Sequence, residues 1–180
     1  MIKQFLLTSA ALAFATSAHA AVLDFDSVGD CSGGEGATFT LLGGASCEIA
    51  NTPNGSDGLN LRTSDTFSQV RADFSLLVGS VSVDLGDFGA DNDTVFIQAF
   101  DAFDNLLDSS SLSGLGGALG NVAVAATDIS YVIFGSDTGD IGYITADNFT
   151  FDPQQVVPLP AGGALLLTGL AAFGVMRRRA

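Results

Sequence analysis

The chain has no tryptophan, one histidine, one lysine and two cysteines in 180 residues. Each shortage removes a chemistry. His19 is the one imidazole and Lys3 the one amine side chain, and both fall in an N-terminal segment that reads as removable. The remaining body then has nothing from which to build a Ser–His–Asp or Cys–His nucleophile, a Schiff-base lysine or a His-ligated zinc. Positive charge is scarce as well. All 20 acidic residues lie between Asp24 and Asp152, where Arg62 and Arg71 are the only basic ones, a net of −18. So acidic a surface repels phosphate backbones and anionic headgroups, which excludes a nucleic-acid partner.

What is present at the two ends reads as address labels. Residues 1–20 run from Lys3 through an apolar stretch to Ala18-His19-Ala20, small residues at the −3 and −1 positions of a signal-peptidase site. Cleavage is expected before Ala21, after delivery by Sec-type export machinery. Near the other end, Val157-Pro158-Leu159-Pro160-Ala161 precedes an uncharged run to Met176 and then Arg177, Arg178 and Arg179. The 16 residues from Ala161 to Met176 reach roughly 24 Å as a helix, against about 30 Å for a hydrocarbon core. Bilayer thinning and arginine snorkelling close such a gap, and the arginines stay in the cytoplasm. The two prolines favour an extended peptide at the membrane surface, the form a protease cleft accepts.

Motif, apolar segment and arginine cluster, in that order, resemble the VPLPA variant of the PEP-CTERM sorting signal. The resemblance implies an exported Gram-negative protein whose tail is cut by an exosortase, a membrane-embedded cysteine peptidase or transpeptidase. It also implies a body released or passed to the cell surface, in association with extracellular polysaccharide or biofilm matrix. Two rival readings of the tail remain. One is a sortase signal of the LPxTG type, although Gly162 stands where threonine is needed. The other is a permanent anchor in the inner membrane that no enzyme touches.

The body, residues 21–155, alternates apolar and polar residues with period two and shows no capped helical period. Strands are expected at 22–25, 38–41, 47–49, 59–61, 67–74, 80–85, 94–100, 106–110, 122–126, 131–134 and 148–152. Thr94–Phe100 is apolar on both faces, as a central strand would be. Short strands at this spacing predict an all-β sandwich of jelly-roll type, between an N-terminal signal peptide and a C-terminal sorting domain at 156–180 that holds one transmembrane helix. The body also looks like the β-sandwiches common among PEP-CTERM cargo. Asp104-Asn105 suits a tight hairpin, and Leu112–Gly120 reads as the loosest loop, with three leucines that have the option of packing down.

Cys31 and Cys47 are expected to form a disulfide in an oxidising compartment, stapling a Gly-rich stretch. Carboxylates are the one abundant reactive group. Calcium takes six to eight oxygens, so Asp87, Asp91 and Asp93 in one acidic stretch, and Asp24, Asp26 and Asp147 near the first and last strands, are its candidate ligands. Most of these aspartates serve equally well as turn formers and solubilising charge. No carboxylate pair stands out for glycoside hydrolysis. Sugar stacking is open to Tyr131 or Tyr143, or to Phe88 and Phe103 in turn-rich segments, where anchoring of the loop into the core is the stronger expectation. The sequence therefore predicts an exported, non-enzymatic surface or matrix protein. A calcium-dependent lectin-like module comes next, and a carboxylate glycosidase last.

Overall fold

The computed structural model describes residues 19–25, 31–43, 46–52, 55–62, 68–87, 94–115, 117–136 and 143–154. Residues 18–154 cluster as one compact unit. The signal segment before His19, the sorting motif, the apolar run and the arginine cluster lie outside the described residues, as do Phe88, Asp26, Asp91 and Asp93. The described residues form ten strands and no helix: β1 Ala21–Leu23, β2 Gly33–Gly34, β3 Ala37–Leu42, β4 Ser46–Asn51, β5 Asp57–Arg62, β6 Ser68–Asp87, β7 Thr94–Phe100, β8 Leu106–Ser113, β9 Leu119–Ser136 and β10 Tyr143–Pro153.

Two layers emerge because two strands serve both. β6 has 20 residues and β9 has 18, far above the usual strand of about 5–6. In the first layer the order is β2-β3-β6-β9-β7-β8, built on residues 68–73 of β6 and 131–136 of β9. In the second it is β4-β5-β10-β6-β9, built on 78–87 of β6 and 119–125 of β9, with β1 added along β10. Every pairing is antiparallel. The register slips between Asp73 and Val78 and again before Ser80, where β6 and β9 cross from one layer to the other. Asp128 takes a left-handed conformation there, at φ 65°. The sequence expectation of separate strands at 67–74 and 80–85, and at 122–126 and 131–134, is corrected accordingly: each pair is one strand bent at a bulge, since a bulge turns a chain without ending its ladder.

The faces between the layers are apolar. Val70 and Ala72 of β6, Val95, Ile97 and Ala99 of β7, and Val132 and Phe134 of β9 are buried on one side. Val81, Val83, Leu85, Ala146, Phe149 and Phe151 are buried on the other. Phenylalanines span the interface: Phe149 of β10 lies with ring centroids 5.1 Å from Phe39 and 5.4 Å from Phe134. The edge-to-face geometry with Phe39 suits the ring quadrupoles and contributes about 0.5–1.5 kcal/mol beyond burial.

Cys31 and Cys47 form the expected disulfide, with Cα atoms 6.3 Å apart, and it ties the start of the β2–β3 hairpin to β4. Leu112 and Leu115 pack against the core. A Cβ on Gly120 would come within 2.7 Å of a Leu115 methyl and 2.9 Å of a Leu112 methyl. A side chain at position 120 would displace those methyls.

Candidate functional site

The outer face of the first layer carries a hollow lined by an aromatic ring, amides and hydroxyls. Because side chains alternate across a strand, the residues facing away from the core on β6, β9 and β7 are Gln69, Arg71 and Asp73; Tyr131, Ile133 and Gly135; and Phe96, Gln98 and Phe100. Gly135 sits between Gln69 and Phe96 in register. With φ at 140° it occupies a backbone region closed to L side chains, and it puts no side chain between those two residues. On this face lies a cleft of about 460 Å³, lined by Gln69, Thr94, Phe96, Gln98, Ser109, Ser110, Ser111 and Ile133. That size falls within the ~300–1,000 Å³ common for small-ligand pockets. The lining is uncharged: amides and hydroxyls, one aromatic ring and one aliphatic side chain. Two of the polar groups are held in place, Gln69 by donating Nε2 to Ser136 O at 3.3 Å and Thr94 by sharing a 2.8 Å hydroxyl pair with Ser113.

One end of the cleft is closed by a stack. The Arg71 guanidinium carbon lies 3.6 Å from the Tyr131 ring centroid. Phe100 stacks on the same ring at 4.8 Å and 8°. These two come from the strands on either side of β9, so they cover Tyr131 from opposite sides. The phenol donates to Asp104 Oδ1 at 2.9 Å. Burial pushes the Tyr131 phenol above its ordinary value, and the Asp104 hydrogen bond adds to the rise. Asp73 holds Arg71 in a forked contact, with Nη2 to Oδ1 at 2.7 Å, which raises the guanidinium and neutralises it pairwise.

Beyond the stack, the β7–β8 turn is fixed by one carboxylate. Asp101 Oδ1 accepts from the backbone N–H of Phe103 and of Asn105, and Oδ2 accepts from Asn105 Nδ2. The Asn105 side-chain amide, followed by the two backbone donors, draws the Asp101 carboxyl below its ordinary value. Asp104 adopts the left-handed conformation at φ 63°, as the Asp-Asn turn requires.

The residues singled out in the sequence are placed differently from expectation in two cases. Tyr131 is not a stacking platform, because both ring faces are taken and it is buried. Phe103 is not a loop anchor: it is 85% exposed, held outward by the Asp101 turn. Of the calcium candidates, Asp147 is buried, accepting from Ser56 Oγ at 2.7 Å and from Asn148 N–H at 2.8 Å. Asp24 follows β1, and Asp87 ends β6 with its side chain outside the described residues. Among the described residues, no three His, Cys, Asp or Glu side chains group as a metal would need. Tyr143 opens β10, and its side chain is likewise not described.

The cleft residues escaped sequence reasoning. The signal was Phe96, read as one face of a doubly buried central strand. In the structure β7 lies beside the edge strand β8, and Phe96 is half-buried in the cleft wall. A second hollow, of about 490 Å³, lies on the outer face of the other layer; small side chains such as Ser80, Ser82, Ala123 and Ala125 line it together with Asp108, Asn121 and Asp152, and no ring is among them.

Solved structures of similar shape share this fold. A cleaved adhesin domain of Lys-gingipain superposes with a TM-score of 0.52 at 13% identity, over 74% of this chain and 99% of that one. A variant of a family 29 carbohydrate binding module gives 0.52 at 14% identity, over 76% of this chain and 92% of that one. An exo-β-agarase gives 0.52 at 12% identity, over 74% of this chain, which spans only 25% of the agarase. At such identities the likeness shows the fold alone. No protein-family model and no curated protein matches the sequence.

Proposed function

We propose that the chain is an exported, non-catalytic β-sandwich whose outer cleft over Gly135 holds a neutral polysaccharide. The observation that carries this reading is the uncharged mixture of amides, hydroxyls and half-buried apolar groups in the cleft. A sugar presents hydroxyls that both donate and accept, with C–H faces between them. Gln69, Gln98 and the β8 serines meet the first, Phe96 and Ile133 the second. Body charge of −18 disfavours uronates and sulfated chains. No carboxylate lines the cleft, which supports binding over hydrolysis. A similar fold in a carbohydrate binding module and an adhesin domain agrees with this assignment. The disulfide fits an oxidising, extracytoplasmic location. The sorting motif at Val157–Ala161 supplies the route: export, membrane retention by the apolar run, and exosortase cleavage.

Affinity electrophoresis of the mature chain through gels containing neutral polysaccharides, with alginate and pectate as acidic controls, tests the reading. Retention by a neutral polymer is expected, with Phe96→Ala and Gln98→Ala each weakening it by about tenfold, the loss of one stacking or hydrogen-bonding contact. Retention abolished by a chelator selects the calcium-dependent lectin, and release of shortened sugars selects the glycosidase. Retention only by the acidic polymers overturns the assignment. Intact mass of the protein recovered from the medium tests the route, with a start at Ala21 and an end before Ala164 expected.

A further inference from the structure

Six large apolar side chains are exposed among the described residues: Val22, Leu76, Leu77, Phe103, Leu106 and Leu107. Five of them gather at one end. Asp73, Tyr131, Phe100 and Leu106 stand level across β6, β9, β7 and β8. Just past that level lie the bent stretch of β6 with Leu76 and Leu77, and the β7–β8 turn with Phe103. The last described residue is at the same end. Gln154 donates its N–H to Leu77 O at 2.8 Å. With its amide oriented to satisfy both atoms, it also donates to Asp128 Oδ1 at 3.3 Å and accepts from Asp128 N–H at 2.8 Å. The chain therefore leaves the sandwich beside Leu77.

Only six residues, 155–160, separate Gln154 from the uncharged run that begins at Ala161. Fully extended, they reach about 20 Å. If that run is held in a bilayer, as proposed above, this apolar end is the part of the sandwich nearest the lipid. We infer that Leu76, Leu77, Phe103, Leu106 and Leu107 form a docking face for the membrane surface, used while the tail is intact. The inference rests on the tail-anchor reading. The Asp101 turn supplies the rigidity, presenting Phe103 outward. Charge sets the lipid class. Asp101, Asp104 and Asp128 lie at this end, so a zwitterionic surface is favoured over an anionic one. Docked this way, the sandwich keeps the cleft over Gly135 on a side wall, open to a polymer outside the cell.

Absence of tryptophan makes the test clean, since Phe103→Trp gives a single-tryptophan protein at a site too exposed to affect folding. The full chain is reconstituted into phosphatidylcholine vesicles and floated. The expected result is co-flotation, a blue-shifted emission from the introduced indole, and quenching by lipids brominated near the glycerol backbone. A weaker shift is expected in vesicles rich in phosphatidylglycerol, and no shift in a Phe96→Trp reporter. Co-flotation with the Phe103→Trp indole still in water overturns the docking face and leaves the anchor standing. A shift that grows with the protein-to-lipid ratio and escapes the brominated quencher reports a second copy on this face and overturns it as well. A chain that stays in the aqueous fraction overturns both anchor and docking.

Discussion

Replacing Phe149 by alanine removes the ring at the meeting point of the two layers. Phe149 is fully buried and lies within 5.1–6.3 Å, centroid to centroid, of Phe39, Phe134, Phe151 and Phe74. Truncating a buried Phe costs about 3–5 kcal/mol through lost transfer energy and the cavity left behind. Four ring neighbours on two sheets limit how far the site can collapse, so a value near the middle, about 4 kcal/mol, is expected. Against a domain stability of about 5–15 kcal/mol, that is a large fraction. Urea unfolding of the oxidised protein, followed by far-UV circular dichroism, reads it as a fall of about 2 M in midpoint with an unchanged slope. Phe103→Ala is the control. The same residue type, 85% exposed, is expected to change stability by no more than about 0.5 kcal/mol. A Phe149→Ala loss below about 1.5 kcal/mol, or equal losses at the two positions, would refute the packing of the layers through the phenylalanines.

Replacing Cys31 and Cys47 together by serine opens a crosslink spanning a sequence separation of 16. It is expected to cost roughly 3 kcal/mol, checked by the same urea titration; no change would mean that the β2–β3 hairpin is held by its pairing to β6 alone. Tyr131 is expected to ionise above the ordinary phenol value of about 10. Because burial and Asp104 retain the proton, its contribution to stability is complete below that value and is lost as pH rises through the raised one. Absorbance titration near 295 nm in a Tyr143→Phe background measures it, and a normal phenol titration would contradict the closed stack. Gly135→Ala places a Cβ at φ 140° between Gln69 and Phe96, which line the cleft, so both polysaccharide retention and stability are expected to fall; unchanged retention would mean that the ligand does not depend on the placement of those two side chains.

The strands were legible because their signal is local. Val81, Val83 and Leu85 announce one buried face of β6 by alternation, and Asn148–Asp152 does the same for β10. Asp104 announces its turn, since few residues accept a positive φ. The bends in β6 and β9 were not legible. Leu76 and Leu77 look like core residues in sequence, but they are exposed where β6 passes between layers. The cleft was less legible still. Its lining takes Gln69 from β6, Ile133 from β9, Phe96 and Gln98 from β7 and Ser109 and Ser111 from β8, so it exists only once four strands are in register. Outward polar residues on any one strand resemble ordinary solvent-facing positions. The paired outward Phe96 and Gln98 were the one local hint, and their meaning depended on knowing that, among the described residues, no further layer covers β7.

The uncharged cleft on the outer face of the first layer is proposed to hold a neutral sugar chain. Titration of the isotope-labelled mature protein with a neutral oligosaccharide, cut from the polymer that retains it in gels, tests this most directly. Amide and side-chain resonances of Gln69, Phe96, Gln98, Ser111 and Gly135 are predicted to shift together along one saturating curve, while Ser82, Ala123 and Thr150 on the opposite face stay still. Saturable shifts confined to that opposite face, or none at concentrations that saturate the gel assay, would contradict it.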